Sequence, residues 1–427
     1  MTRYVKTGVV LSLVLAGAAC DSFIQGPGLT ETPNSPASGT PQQQIVAVQA
    51  RMATLLEGQL ARTAGIYTQQ IIGSNNQQLT VTGYGYGETD YSGFFTGFYA
   101  GGGLVAIRNV QALSAASDDK VLEGIAKIWE GLAIGTATSI WGDIPYSEAV
   151  RPDILTPKLD PQQEVYAAVQ TVLDEGIATL RAAPTTGNCE PADLVYCATL
   201  GPRAAQISKW IAAAYTLKAR FYLDLVERQG NAAYTLALAA AQQGILEAPA
   251  NAADAMHGRG PGDFRLFHGG TQNVDANVWA GFLTERGGDI VAGNNFIQIL
   301  IARNDPRLSA YFNPNSLGQF TGHNQNNVLV GTGGASQINT AVRRQFTYRQ
   351  PIVTWAENQL IMAEAKFRLT GAADALPHVN AVRTAVGLAA LPDLLECARA
   401  GADRLADLAF LDDQAVAEQT SHALRSA

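Results

Sequence analysis

Apolar residues recur at three- and four-residue spacing through several long stretches of this chain, the period of helices that bury one face. In "DKVLEGIAKIWEGLAIGTATSIW" the stripe is Val121, Ile125, Ile128, Trp129 and Leu132. In "LDPQQEVYAAVQTVLDEGIATLRAA" it is Val165, Val169, Val172, Leu173, Ile177 and Leu180, with Asp160 placed to cap and Pro161 suited to the first turn. "ISKWIAAAYTLKARFYLDLV" carries Ile207, Trp210, Ile211, Ala214, Leu217, Phe221 and Leu225. "TWAENQLIMAEAKFRLTG" carries Ala356, Leu360, Ala363 and Phe367 before Gly371 stops it, and "ALPHVNAVRTAVG" opens a partner helix. The pattern predicts a mostly α fold of tetratricopeptide-like helix pairs, divergent because no strict repeat of about 34 residues is visible. Between the helices lie two long Gly/Asn-rich stretches, 73–103 and 258–334, read as irregular loops of the kind that carry function or are disordered.

One helix ends in a shaped loop, "SIWGDIPYSEAV" at 139–150. Gly142 frees the backbone, and Pro145 biases Ile144 toward an extended conformation. A plain helix end needs only the Gly. Asp143 can bond backbone N–H groups of its own turn.

The N-terminus is patterned differently. Arg3 and Lys6 precede an apolar run, Gly8 to Ala19, too short to span a bilayer of ~30 Å. It ends in "LAGAAC", which reads as bacterial lipoprotein processing with Cys20 as the acylated N-terminus. The rival is an ordinary signal peptide cut after Ala16 or Ala19. The expected organisation is a signal peptide over 1–19, a lipid-anchored flexible tether over 20–44, and a helical ligand-binding domain over 45–427. The tether follows from Pro27, Pro33, Pro36 and Pro41 among Gly, Ser and Thr, a composition that buries little apolar area.

Composition narrows the function classes. The chain has 427 residues, with 29 basic against 37 acidic side chains and a formal charge of −8. No basic run stands out, so nucleic acid is not an expected partner. Cys189 and Cys197 flank "EPADLVY" in a Pro/Gly-rich loop and are plausible disulfide partners in an exported protein. Metal binding is the rival there, disfavoured by the spacing and the lack of a nearby His. Cys397 reads as a buried thiol. His257, His268, His323, His378 and His422 are scattered without ligand spacing, so neither a metal nor a cofactor is expected. The sequence contains no G-x-S-x-G, H-E-x-x-H or P-loop.

"WGDIPYSEAV" followed by "PKLDPQQEVYAAV" resembles the G-D-x-P-Y-x-E-A signature of the SusD/RagB outer-membrane nutrient-binding lipoproteins. Four further stretches match in order: "AAAYTLKARFYL", "NDPRLSAYF" at 304–312, "WAENQLIMAEAKFRLTG", and "VNAVRTAVGL" at 379–388. The resemblance spans about residues 45 to 390. It implies a helical body with tetratricopeptide-like pairs and loops elaborated into a ligand-binding surface. It also implies a SusC-like, TonB-dependent outer-membrane transporter as partner, capture of an oligosaccharide or peptide, anchoring to the membrane by lipid, and no enzymatic activity. The segment after about 390 departs from the family, so the chain is expected to be atypical or truncated there.

Two carboxylate pairs invite a catalytic reading. Asp143 and Glu148 have an adequate structural reason in the turn. Glu357 and Glu364 are two helical turns apart, ~10.5 Å, beyond the ~6.5–9.5 Å of an inverting glycosidase pair. They are read as partners of Lys or Arg on a neighbouring helix. For ligand binding, flat aromatics beside amides suit a sugar face. "SNNQQLTVTGYGYGETDY" supplies Asn75, Asn76, Tyr84 and Tyr86. "GDFRLFHGGTQNVDANVWAGF" supplies Phe264, His268, Asn277 and Trp279, and no apolar stripe there claims the Trp279 ring. Loop packing is the alternative for each aromatic. Phe94 to Tyr99 reads as core. Competing functions are an exported helical glycoside hydrolase and an α-solenoid adaptor with no small ligand.

Overall fold

The computed structural model describes residues 39–394. Cys20, Cys397, the signal segment, nearly all of the tether and the tail beyond 394 lie outside the described residues. Helices of eight residues or more are α1 Pro41–Met52, α2 Leu60–Tyr67, α3 Ser92–Tyr99, α4 Leu104–Ala116, α5 Lys120–Trp141, α6 Gln162–Arg181, α7 Arg203–Leu223, α8 Asn231–Ala241, α9 Val278–Glu285, α10 Asn294–Ala302, α11 Trp355–Leu369 and α12 Ala372–Ala385. The fold is mostly α, and the described strands form four short two-stranded antiparallel ladders.

Helix α1 begins at Pro41, four residues before the expected start of the body. Thr40 and Gln43 form a capping box, with Gln43 N–H donating to Thr40 Oγ1 at 3.3 Å and Thr40 N–H to Gln43 Oε1 at 3.0 Å. Helices α1, α4, α5, α6, α7, α8, α11 and α12 then pack in a row, each against the next. The stripes expected on α5 and α6 are buried throughout. That on α11 is shifted. Ala356, Leu360 and Phe367 are half-buried, while Trp355, Ile361, Met362 and Ala365 are buried. The reason is that α11 is flanked by α8 on one side and α12 on the other, so it has no single inward face. Helix α12 takes Pro377 into its interior rather than beginning near it.

Close approach along α5 depends on glycine. A Cβ on Gly131 would lie 2.5 Å from Leu173 of α6, and one on Gly135 would lie 2.2 Å from the Phe221 ring of α7. Beside this seam, Trp129, Trp210 and Phe264 meet edge to face with ring centroids 5.0–6.1 Å apart. Cys189 and Cys197 are bonded. Within the loop they close, buried Asp193 accepts from Trp210 Nε1 at 2.7 Å and Gln206 Nε2 at 2.8 Å. Burial pushes the Asp193 carboxyl up.

The loop at 142–161 is held by exchanged contacts. Gln162 donates its backbone N–H to Asp143 Oδ1 at 2.8 Å and its side-chain Nε2 to Thr138 O at 2.7 Å. Asp143 therefore caps α6 across the loop instead of bonding its own turn. Asp160 does not cap α6 either. It accepts from Tyr146 N–H at 3.0 Å, Ser147 N–H at 2.6 Å and Ser147 Oγ at 2.7 Å. The cause of both corrections is an antiparallel bridge between Ile144 and Asp160, bonded both ways at 3.2 and 2.9 Å. The bridge brings each carboxylate against the opposite segment. Glu148 Oε2 accepts from Lys158 N–H at 3.0 Å. Tyr146 donates to buried Glu130 at 2.9 Å, Tyr99 to Pro145 O at 2.8 Å, and Arg108 to Ala149 O at 2.8 Å. Asp143 and Glu148 are thus both engaged by backbone N–H groups.

Glu357 pairs with Arg220 of α7 through both carboxylate oxygens, and Tyr234 donates to Glu364 at 3.2 Å. Glu357 thus has the expected basic partner on a neighbouring helix, whereas the neighbouring-helix partner of Glu364 is a tyrosine hydroxyl rather than a Lys or Arg. The two long Gly/Asn-rich stretches are more ordered than expected. They contribute α3, α9, α10 and most of the strands, and they build a second apolar core around Ile66, Ile71, Trp279, Ile290, Phe296 and Phe312.

Candidate functional site

The second core joins two distant excursions of the chain. Strand Ile71–Gly73 pairs antiparallel with Ile290–Ala292. The following residues clamp the turn before that second strand. Asn75 Nδ2 donates to Gly288 O at 2.8 Å, Asn76 Nδ2 donates to Asp289 Oδ1 at 2.8 Å, and Ser74 N–H donates to Asp289 O at 2.8 Å. The amide donors of Asn75 and Asn76, read from sequence as ligand contacts, are therefore engaged in closing the fold.

Tyr84 lies on the surface, 58% exposed and at φ +52°, an uncommon conformation for a residue with a side chain. Its ring stacks on Tyr67 with centroids 5.1 Å apart and planes at 24°. Tyr67 in turn shares a 2.6 Å hydroxyl hydrogen bond with Tyr91, and Tyr86 meets Tyr91 edge to face at 5.6 Å. Phe94 tilts against Tyr91 at 6.3 Å. Four tyrosines and a phenylalanine thus form a platform on which Tyr84 offers a flat, wet face. Burial pushes the Tyr86 and Tyr91 phenols up, with Tyr67 raising Tyr91 further, so both are neutral at physiological pH. Sequence spacing found Tyr84 and Tyr86. It missed Tyr67, which stands on α2 outside that stretch, and passed over Tyr91, the last residue of the stretch, which ends a short 3₁₀ turn.

Trp279 is placed differently from the expectation. It is 9% exposed and sits on α9, where Trp279, Ala280 and Leu283 face the second core. An apolar stripe does claim its ring. Asn277 is fully buried and is the N-cap of that helix, its Oδ1 accepting from Ala280 N–H at 2.9 Å. Phe264 belongs to the main core, and His268 is buried 2.9 Å from Glu57 Oε2. Glu57 lies on a π-helical turn, Ala53–Gln59, that links α1 to α2, and burial pushes its carboxyl up. The eight residues read from sequence as ligand-bearing therefore do not converge on one spot.

Trp279 nonetheless lines a cavity of about 90 Å³, together with Phe296, Tyr311, Phe312, Tyr348 and Gln70. Ala61 and Gly65 of α2 form part of its wall. Tyr67, about 200° around the helix from Gly65 at ~100° per residue, carries the platform on the opposite flank. Among the described residues no group of His, Cys, Asp and Glu is placed to hold a metal ion, and no helix is long and apolar enough to cross a membrane.

A family model named SusD-like and described as "starch-binding associating with outer membrane" matches residues 33–386. Among solved structures, a SusD/RagB family protein from Bacteroides thetaiotaomicron aligns with a TM-score of 0.66 and 20% identity over 90% of this chain and 86% of that one. A chitin-binding protein aligns at 0.65 and 22% identity, covering 91% and 85%. A chitin-binding SusD homolog from Flavobacterium johnsoniae aligns at 0.64 and 18% identity, covering 82% and 71%. At these identities the likeness shows the fold. No curated protein matches the chain.

Proposed function

Because the chain belongs to the SusD-like family, described as starch-binding and associating with the outer membrane, we propose that it is a lipid-anchored cell-surface protein that captures glycans or peptides. It delivers them to a TonB-dependent outer-membrane transporter. Acylation falls on Cys20, and residues 20–44 act as the spacer before the binding domain. The protein binds and does not turn over its ligand. Asp143 and Glu148 are each engaged by a backbone N–H, which supports a structural role for this carboxylate pair.

The observation that carries this reading is the Tyr84 ring, exposed and backed by Tyr67. A sugar ring stacks on such a face with little ordering cost, because the tyrosine is already held. The two chitin-binding neighbours make an amino-sugar polymer a ligand worth testing beside starch fragments. Calorimetric titration of the purified protein with maltoheptaose, chitotetraose and a peptide panel tests the reading. Tyr84→Ala is expected to weaken saccharide binding at least tenfold, about 1.4 kcal/mol, with a melting temperature within a few degrees of wild type. Unchanged affinity in the variant removes the platform from the site. Cys20→Ala is expected to release the protein from membranes on fractionation, and a stable large barrel is expected to co-purify with the wild type.

A further inference from the structure

The cavity beside Trp279 has a chemistry that the platform does not. Its walls are largely apolar and aromatic, from Phe296, Phe312, Ile338 and Tyr311. Two of its lining side chains have donor nitrogens that are buried without a hydrogen-bond partner, Trp279 Nε1 and Gln70 Nε2. A buried donor left unmade is costly, so an acceptor from outside the protein fits this space. Gln70, Arg343 and Gln350 line the cavity while keeping part of their surface in solvent, and so mark its mouth.

We propose that this cavity is a subsite for the N-acetyl group of an amino sugar. The acetyl methyl would sit against Phe296, Phe312 and Ile338, and the carbonyl oxygen would accept from Trp279 and Gln70. The proposal rests on the glycan-binding reading above and names a substrate class within it. Size supports it. An apolar cavity of about 150 Å³ admits benzene, so one of about 90 Å³ suits a smaller group such as an acetyl. A whole pyranose is too large, so the sugar ring stays at the mouth. A bridging water would satisfy the donors but leave the apolar wall wetted. A carboxylate has the right size but needs a countercharge. The nearest candidate, Arg343, stacks on Tyr311 at 4.1 Å and donates to Met256 O at 3.1 Å.

The test compares three tetrasaccharides by calorimetry on the purified full chain: chitotetraose, its fully de-N-acetylated counterpart, and cellotetraose. Wild type is expected to prefer chitotetraose at least tenfold over both. Trp279→Phe keeps an aromatic ring and removes the N–H, and should abolish that preference. Gln70→Leu provides the same test at a site outside the core, in case the Trp279 variant is unstable. Equal affinity for all three, or a preference that survives in both variants, overturns the subsite and leaves glycan capture standing. A preference for a uronic-acid oligosaccharide over chitotetraose also overturns it. Binding of no saccharide at all overturns the glycan half of the functional reading and the subsite with it.

Discussion

Asp143 and Gln162, nineteen residues apart in the chain, join the end of α5 to the start of α6. The carboxylate of one accepts the first N–H of α6, and the amide of the other reaches back to a carbonyl in the last turn of α5. Asp143→Ala should cost about 1 kcal/mol, the usual loss of an N-cap. Asp160→Ala should cost more, about 2–3 kcal/mol, because it leaves two backbone donors and a hydroxyl without their acceptor. Urea denaturation of both variants measures this, and a smaller effect at Asp160 than at Asp143 would contradict the geometry.

The glycine seam gives a second expectation. Gly135→Ala places a methyl carbon 2.2 Å from the Phe221 ring. The helix gains propensity, worth about 1 kcal/mol, but overpacking costs about 1–3 kcal/mol. The ring is fully interior, so we expect net destabilisation, read as a lowered melting temperature. Gly281 on α9 has open space around it, so Gly281→Ala should be neutral or stabilising, and serves as the control.

His257 gives stability a pH dependence. Burial, reinforced by the charges of Arg343 and Arg259, pushes it down to about 3. Its folded value lies below its unfolded one. The contribution of the neutral ring is therefore complete above pH ~6.5 and is lost as pH falls toward 3. Between pH 6.5 and 5 it should remove about 1 kcal/mol per pH unit after discounting for partial solvent screening. Glu57 acts in the opposite sense, since its raised carboxyl favours the folded state as pH falls. Comparing wild type with His257→Leu cancels that share. Identical pH slopes in the two proteins would rule out the His257 contribution.

Cys189→Ser should lower stability by about 2–3 kcal/mol, the chain-entropy value for so short a loop. It should leave saccharide affinity unchanged, because the loop it closes packs on Trp210 in the main core and away from the tyrosine platform. A loss of affinity in this variant at a temperature where it stays folded would show that the two regions are coupled.

The helical body was legible because its signals are local and periodic. The α5 and α6 stripes, the Gly371 stop and the Glu357 partnership follow from spacing alone. What spacing could not show is the second core. Trp279 stands in a polar run, and the helix Asn277 caps is only eight residues long, too short for its stripe to register. The strand partners of Ile71–Gly73 lie more than two hundred residues away. Asn75 and Asn76 look like free amides until the Gly288–Asp289 turn is brought against them. Tyr84 remains an exposed aromatic as expected, but the Tyr67 ring behind it comes from α2, outside both stretches read as ligand-bearing.

The contacts that fasten the 142–161 loop fall mostly on main-chain groups. Asp143, Glu148 and Asp160 receive N–H groups of Gln162, Lys158, Tyr146 and Ser147, and every residue except proline can offer an N–H. Tolerance to substitution is therefore lopsided. The three acceptors admit few replacements, while any residue but proline at position 158 keeps the N–H to Glu148 and loses only the 3.4 Å ion pair of Lys158 Nζ with Asp160. At the loop end the meeting of α5 and α6 is thus set by three carboxylates and a peptide backbone, and along the seam by Gly131, so the helices can drift in sequence where neither the clasp nor the small seam position is touched.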